Sequence, residues 1–391
     1  MRKVSVWFAA ILILTAILVT FLTTTWLDRH FLPLRQDKLV EAADLIESAY
    51  IGTADREKMT DAAISAMVDS LEDQWSYYLT TSQLEQYRKF ESNRYHGLGL
   101  VVKSGETGGV IVYSVYPASP AGEAQIAPGS RILSVNERSV ENSSLAEAMD
   151  LVTEAMETGV VRLVLRTADG LEQTYELQPG NVDTDPVSWK MLPEGIGYIR
   201  ILNFEDRSGE QAVQAVEELC SAGAAGLIFD VRNNPGGQLN QLLQLLDHLL
   251  PEGVLFISRD NQGNQNQEMS DSKCVQLPMA VLVDSGSYSA AEFFAAALRE
   301  YEWAEIVGEQ TTGKGYAQVT LQLRDGSALH ISTQEYYTPL GNSLAGVGLT
   351  PDQTVLLSEE KREEFSYGLL KQDEDDQLME ARKAVQEKIG N

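Results

Sequence analysis

Two stretches of this 391-residue chain constrain its fold more than any others. Each is a short apolar run that ends in small, turn-forming residues and leads at once into a helical pattern. In the first, Gly226-Leu227-Ile228-Phe229-Asp230-Val231-Arg232 gives way to Asn233-Asn234-Pro235-Gly236-Gly237, and Leu239 to Leu250 reads as a helix. In the second, Met279 to Val283 ends in Asp284-Ser285-Gly286-Ser287, and Ala290 to Leu298 opens a helix. Ile196 to Ile201 adds a strand, and Gly209 to Ser221 an amphipathic helix through Ala212, Val213, Val216 and Leu219. Buried-type strands alternating with helices predict an α/β core.

The second stretch also carries chemistry. Ser289 falls where a buried strand turns into a helix, so its hydroxyl lies beside the free N–H groups of the first turn. A lone serine there is most often an N-cap. Gly313-Lys314-Gly315, followed by Gln318, changes that reading. Glycines on both sides let the backbone bring the lysine close to another group. A buried lysine beside a serine loses its proton readily, because desolvation disfavours the ammonium form. It then suits a general base for the Ser289 hydroxyl, with Gln318 holding the amine.

At these residues the sequence resembles the C-terminal processing (tail-specific) peptidases, PDZ-containing serine proteases with a Ser–Lys dyad and a supporting Gln. Ser289-Ala290-Ala291-Glu292 matches the family's Ser-Ala-x-Glu. Its lysine follows the serine by 25 residues, as Lys314 does, and its glutamine follows by four more, as Gln318 does. The spacing favours Ser289 over Ser285 and Ser287. Asp230-Val231-Arg232-Asn233-Asn234-Pro235-Gly236-Gly237 resembles the family's Asp-Leu-Arg-x-Asn-x-Gly-Gly. This implies an oxyanion hole from Gly236 or Gly237 together with the N–H of Ala290; the sequence does not choose between the glycines.

Between about Ser92 and Leu177 the order of features resembles that of a PDZ domain. Gly97-Leu98-Gly99-Leu100 opens a strand, Gly109 to Val115 gives another, and Pro128-Gly129-Ser130 leads into Arg131 to Val135. A helix from Leu145 and a strand from Val160 to Leu165 follow. The Gly97, Leu98, Gly99, Leu100 loop would offer N–H groups to a peptide's C-terminal carboxylate. Gly129-Ser130, Asn136-Glu137 and Ala124-Gln125-Ile126 depart from the family's usual turns and leave the peptide preference open.

The remaining expectations concern the ends. Val4 to Leu27 carries no charge after Arg2-Lys3, long enough for a single membrane-spanning anchor with the bulk of the chain outside the cytoplasm. The organisation expected is a transmembrane segment (4–27), a helical region (30–91), a PDZ domain (92–178), an α/β peptidase core (187–357) and an acidic helical tail (358–391). The tail reads as a solvated helix or a self-association element. The resemblance implies protein or peptide substrates with a free C-terminus, and N-terminal helices that contribute to a homodimer.

A formal net charge of −27 argues against nucleic acid as a partner. Two cysteines, Cys220 and Cys274, make neither a disulfide framework nor a zinc site, and four scattered histidines lack metal-ligand spacing. No cofactor is implied. Gly308 to Lys314 fits the first seven positions of a phosphate-binding loop, but the eighth is Gly315 where Ser or Thr would hold Mg²⁺. The standing alternative to an enzyme is a PDZ-containing binding protein on the same fold that no longer cuts.

Overall fold

The computed structural model describes residues 14–24, 35–105, 108–167, 169–366, 368 and 370–390. They form two compact units, one up to Tyr78 and one from Leu79 onward. The first unit is helical, as its three/four apolar spacing requires. It holds a helix at residues 14–24, then α1 (Arg35–Ala49) and α2 (Arg56–Asp69). Asp55 caps α2, accepting from the N–H groups of Glu57 and Lys58. Among the described residues no helix is long and apolar enough to cross a membrane. Of the expected span 4–27 only 14–24 is described, with Leu14, Ile17, Leu18 and Phe21 exposed; the rest lies outside the described residues.

The second unit begins with α3 (Thr81–Glu91), whose start is fixed by a reciprocal capping box between Thr80 and Gln83. β1 (Arg94–Gly97) then pairs antiparallel with β7 (Gly180–Asp183), so the chain enters and leaves the next module through one two-stranded ribbon. Between them lies an antiparallel sheet in sequential order: β2 (Leu100–Ser104), β3 (Val110–Val115), β4 (Arg131–Val135), β5 (Val161–Arg166) and β6 (Glu172–Leu177). α4 (Leu145–Glu157), capped by Ser144 and Glu147, packs on it. Val112, Leu163 and Leu165 are wholly buried at its centre, as period-two strands over one apolar face demand.

The core is a six-stranded sheet. β8 (Val187–Met191) runs antiparallel to β9 (Ile196–Ile201). β9, β10 (Gly226–Asp230), β13 (Met279–Val283), β14 (Ala304–Gly308) and the short β17 (Gln353–Thr354) are parallel neighbours in that order. Every residue of β10 and β13 is buried, because helices cover both faces. α5 (Ser208–Ser221), α6 (Leu239–Leu249) and α7 (Ala290–Glu300) cover one face, against Phe229, Val281 and Val283. A second layer holds β11 (Gly253–Asp260), β12 (Gln265–Ser270), β15 (Tyr316–Gln322) and β16 (Ala328–Tyr337), with β15 and β16 forming the expected hairpin around Asp325-Gly326.

The other face overturns the expectation of a solvated tail. α8 (Asp376–Ile389) lays Leu378, Ala381 and Val385 on Ile228, Ala280 and Leu282, and all six are buried. The acids that suggested solvation are partly committed to a buried ion network. Arg232 is 1% exposed and donates to Asp230 (2.6 Å), Asp375 (2.8 Å) and Gln377 (2.9 Å), while its guanidinium lies 4.0 Å from the Phe365 ring centroid. The charge run read as surface is therefore what ties the C-terminal segment to the sheet. Cys220 and Cys274 are free thiols.

Candidate active site

The two strand–turn–helix units meet at the carboxyl ends of β10 and β13, and hydrogen bonds stitch their turns together. Asp284 Oδ1 accepts from the N–H of Asn233 (2.8 Å), the N–H of Gly286 (3.0 Å) and the Ser287 hydroxyl (3.2 Å). Ser287 is wholly buried and donates to the Val231 carbonyl at 2.7 Å, so its hydroxyl serves the turn. Ser289 is half-buried, with φ +58° and ψ −122°. A non-glycine residue in that region is strained, and such strain persists where the surroundings over-determine it.

Glu292 supplies that over-determination. Its carboxylate is wholly buried and accepts four hydrogen bonds. Oε2 accepts from the N–H of Ser289 and the N–H of Lys314, both at 3.0 Å. Oε1 accepts from the N–H of Gly313 at 2.6 Å and from the Thr311 hydroxyl. Thr311 in turn accepts from Leu349 N–H at 2.7 Å. A charge so deeply buried is tolerable only when its lone pairs are met in this way. Tyr336, 4% exposed, adds a second tie: its hydroxyl donates to the Lys314 carbonyl and hydrogen-bonds the Ser289 side chain. Burial pushes this phenol well above its usual range, so it acts only as a neutral donor and acceptor.

The glycine turn lies directly against the serine. A Cβ added to Gly236 (φ +90°) would fall 2.7 Å from Ser289 Cβ and 2.9 Å from the Ala290 nitrogen. Asn234 sets this turn, donating to the Ile201 carbonyl and accepting from Gly236 N–H, each at 2.8 Å. Gly236 thus has its amide hydrogen engaged, whereas Gly237 is exposed at φ +145°. Behind Gly237 runs Phe204, which donates its N–H to Gly236 O and accepts from Gln238 N–H, both at 2.7 Å.

Gln318 lies inside β15, two residues after its start at Tyr316, and its amide hydrogens go to the Tyr316 carbonyl (2.8 Å) and the Ser332 hydroxyl (3.0 Å). Only its Oε1 can therefore accept from an amine. Two further titratable groups feel Lys314. Burial holds the His330 imidazole down at about 4, helped by the Lys314 charge. Burial pushes the Glu205 carboxyl up to about 7; the Gln238 hydrogen bond and the Lys314 charge oppose this, while Glu91 and Asp206 add to it.

In the module between β1 and β7, the Gly97–Leu100 loop borders a cavity of ≈ 180 Å³ between β2 and α4, lined by Leu100, Val102, Met149, Val152 and Met156. The Leu98 and Gly99 carbonyls are consumed inside the module by Ala121 N–H (2.9 Å) and Tyr116 N–H (3.0 Å).

The sequence reading did not assign roles to Glu292, Tyr336 or Glu205. Glu292 was visible as the last residue of Ser-Ala-Ala-Glu. Tyr336 and Glu205 carried no local signal, since their importance comes from segments far away in sequence.

A serine at the mouth of a doubly wound sheet, a glycine turn against it and a peptide-groove module define a serine peptidase with a PDZ domain. Residues 195–355 match peptidase family S41, residues 88–166 the PDZ domain, and residues 28–82 the activating protease CtpB N-terminal domain. The chain is 30% identical over 317 residues to carboxy-terminal processing protease CtpA of Bacillus subtilis, covering 81% of this chain and 68% of that protein. With CtpB of the same organism it shares 28% over 320 residues, covering 81% and 66%. The solved photosystem II D1 C-terminal processing protease shares the fold at a TM-score of 0.50 and 28% identity, covering 83% of this chain and 94% of that one. The chain belongs to the carboxy-terminal processing proteases, serine-type peptidases of family S41.

Proposed function

We propose that this protein is an endopeptidase in which Ser289 is the nucleophile and Lys314 its general base. The observation that carries this reading is the shared Glu292 oxygen, which fixes the backbones of Ser289 and Lys314 relative to each other. Lys314 in its neutral form takes the proton from Ser289 Oγ as that oxygen attacks a peptide carbonyl. The N–H groups of Gly237 and Ala290 receive the oxyanion, and Gln318 Oε1 orients the amine. Collapse of the tetrahedral adduct expels the amine with the proton held by Lys314, and water then releases the acyl group. Gly237 is preferred to Gly236 because Asn234 already occupies the Gly236 amide.

The Gly97–Leu100 loop takes the substrate's terminal carboxylate, with apolar C-terminal side chains in the cavity behind it and the peptide added beside β2. Unfolded or tail-exposed proteins are the substrate class. The uncharged segment 4–27 anchors the chain in a membrane with the remainder outside the cytoplasm, and the N-terminal helices contribute to a homodimer.

The test is digestion of a denatured protein by the full chain beside Ser289→Ala and Lys314→Ala. Loss of cleavage in both, with folding intact, supports the dyad. Silence of the unmutated protein, even with peptides bearing free apolar C-termini, favours the binding protein that does not cut.

A further inference from the structure

The face of the core sheet that α8 covers also borders a cavity of ≈ 380 Å³, lined by none of the residues assigned above to catalysis. Lys190 of β8 and Tyr198 and Arg200 of β9 line it, together with Phe365, Gln372 and Leu378 of the C-terminal segment. Lys190 pairs in register with Tyr198, and Arg200 follows Tyr198 by two, so all three share one face of the sheet. Lys190 and Arg200 are thus diagonal neighbours, about 7–8 Å apart and within reach of one ligand group. Arg200 makes no hydrogen bond or ion pair among the described residues, and its Nε is buried without a partner. Its guanidinium stacks 4.4 Å from the Phe365 ring centroid. Lys190 also lacks an ion pair among the described residues, its Nζ lying 5.6 Å from the Tyr198 ring centroid. The neighbouring acids are already committed. Asp230 holds Arg232 and the Tyr198 hydroxyl (2.6 Å each), and Asp375 holds Arg232 (2.8 Å) and the Leu378 N–H (3.1 Å). Lys190, Arg200 and Arg232 therefore face only Asp230 and Asp375, in a chain where acids outnumber bases 57 to 30.

We propose that this cavity binds a small organic anion, a carboxylic acid or a phosphate ester, whose charged group is held by Arg200 and Lys190 and whose apolar part lies against Phe365 and Leu378. A half-buried guanidinium without an acceptor is costly, and an oxyanion is the group that relieves it. The planar fork of an arginine suits carboxylate and phosphate alike, and a lysine adds a point charge beside it. The volume is that of a small-molecule site. The occupant joins β8 and β9 to the C-terminal segment, so binding should also raise the stability of the folded chain.

This inference is independent of the Ser–Lys reading, and its test needs no peptidase activity. Benzoate, phenyl phosphate and the neutral analogue benzamide are titrated calorimetrically into the full chain at constant ionic strength, beside Arg200→Gln and Lys190→Gln. Benzoate or phenyl phosphate should bind the wild type and raise its unfolding temperature, and benzamide should do neither. Whichever of the two binds more tightly identifies the carboxylate or the phosphate ester as the natural head group. Arg200→Gln should weaken that binding by about tenfold or more, through loss of a charge-assisted hydrogen bond. Lys190→Gln, at a more exposed position, should weaken it by about two- to fivefold. Should Arg200→Gln not fold, Arg200→Lys replaces it, expected to weaken binding while keeping the charge. Absence of binding by both anions would overturn the proposal. So would benzamide binding as tightly as benzoate, or affinities unchanged by substitution at both positions.

Discussion

The backbone N–H groups of Ser289 and Lys314, 25 residues apart in sequence, converge on a single oxygen, Oε2 of Glu292, each at 3.0 Å. A carboxylate oxygen with several lone-pair directions can hold two donors in one geometry. The nucleophile's turn and the base's loop are therefore not independently placed.

Replacing Glu292 tests that coupling. In Glu292→Gln one oxygen becomes an NH₂ that must face backbone donors, either Gly313 N–H or the Ser289 and Lys314 pair. The expected outcome is a fall in kcat of about 100-fold, as for a displacement of about 1 Å between reacting groups. Stability should fall by about 1–3 kcal/mol from the unmet donors. Steady-state kinetics and chemical denaturation would measure the two. Full activity in this variant would refute a positioning role.

The glycine turn offers a second contrast. Gly236→Ala drives a methyl into Ser289 Cβ and the Ala290 nitrogen at 2.7 and 2.9 Å, while Gly237→Ala meets the Phe204 backbone at 2.4 Å. Both sit at positive φ, so each should cost about 1–3 kcal/mol. Both should also abolish measurable peptidase activity, but a fluorophosphonate probe of Ser289 should distinguish them from a simple unfolding defect if thermal transitions are retained. Cleavage at the wild-type rate by either would show that the turn does not border the reacting atoms.

The C-terminal segment should be indispensable. Asp375→Ala leaves Arg232 buried with half its anionic partners gone, and Asp230 must balance it alone. Breaking one partner of such a pair costs about 3–5 kcal/mol. Denaturant titration should show this loss, and a chain ending at Glu374 should not fold cooperatively, because Leu378, Ala381 and Val385 cover one face of the sheet. A stable, active truncation would mean that the segment only decorates the core.

Two buried groups give opposite pH signatures. His330 is held at about 4 against an ordinary 6.5, so the unfolded chain binds its proton first. Its contribution is fully present above pH 6.5 and lost as pH falls toward 4, up to about 3 kcal/mol. Glu205 is raised to about 7 from 4.5, so its contribution is present below pH 4.5 and lost as pH rises through 7. In the wild type these slopes oppose each other between about pH 4.5 and 6.5. Glu205→Gln should therefore match wild-type stability at pH 4.5 and exceed it above pH 7 by up to about 3 kcal/mol. Urea denaturation across that range would reveal the crossover; parallel curves would show that Glu205 is not raised.

The α/β core was legible from local physics in the sequence by itself, while the PDZ module and the candidate dyad were legible there through resemblance to a known family. An uninterrupted apolar run such as Met279 to Val283, bounded by turn-forming residues, favours a buried strand, and the Ser289, Lys314 and Gln318 spacing is a property of the chain. Tertiary structure decided which groups those turns meet. It engaged the Gly236 amide with Asn234, gave the Gln318 amide hydrogens to Tyr316 and Ser332, and placed Glu205 behind Gly237. It also turned an acidic tail into a wall of the core, since the charge of Asp375 could be buried only where Arg232 waited 143 positions earlier in the chain. Burial and pairing across such separations are set by packing, and no local pattern encodes them.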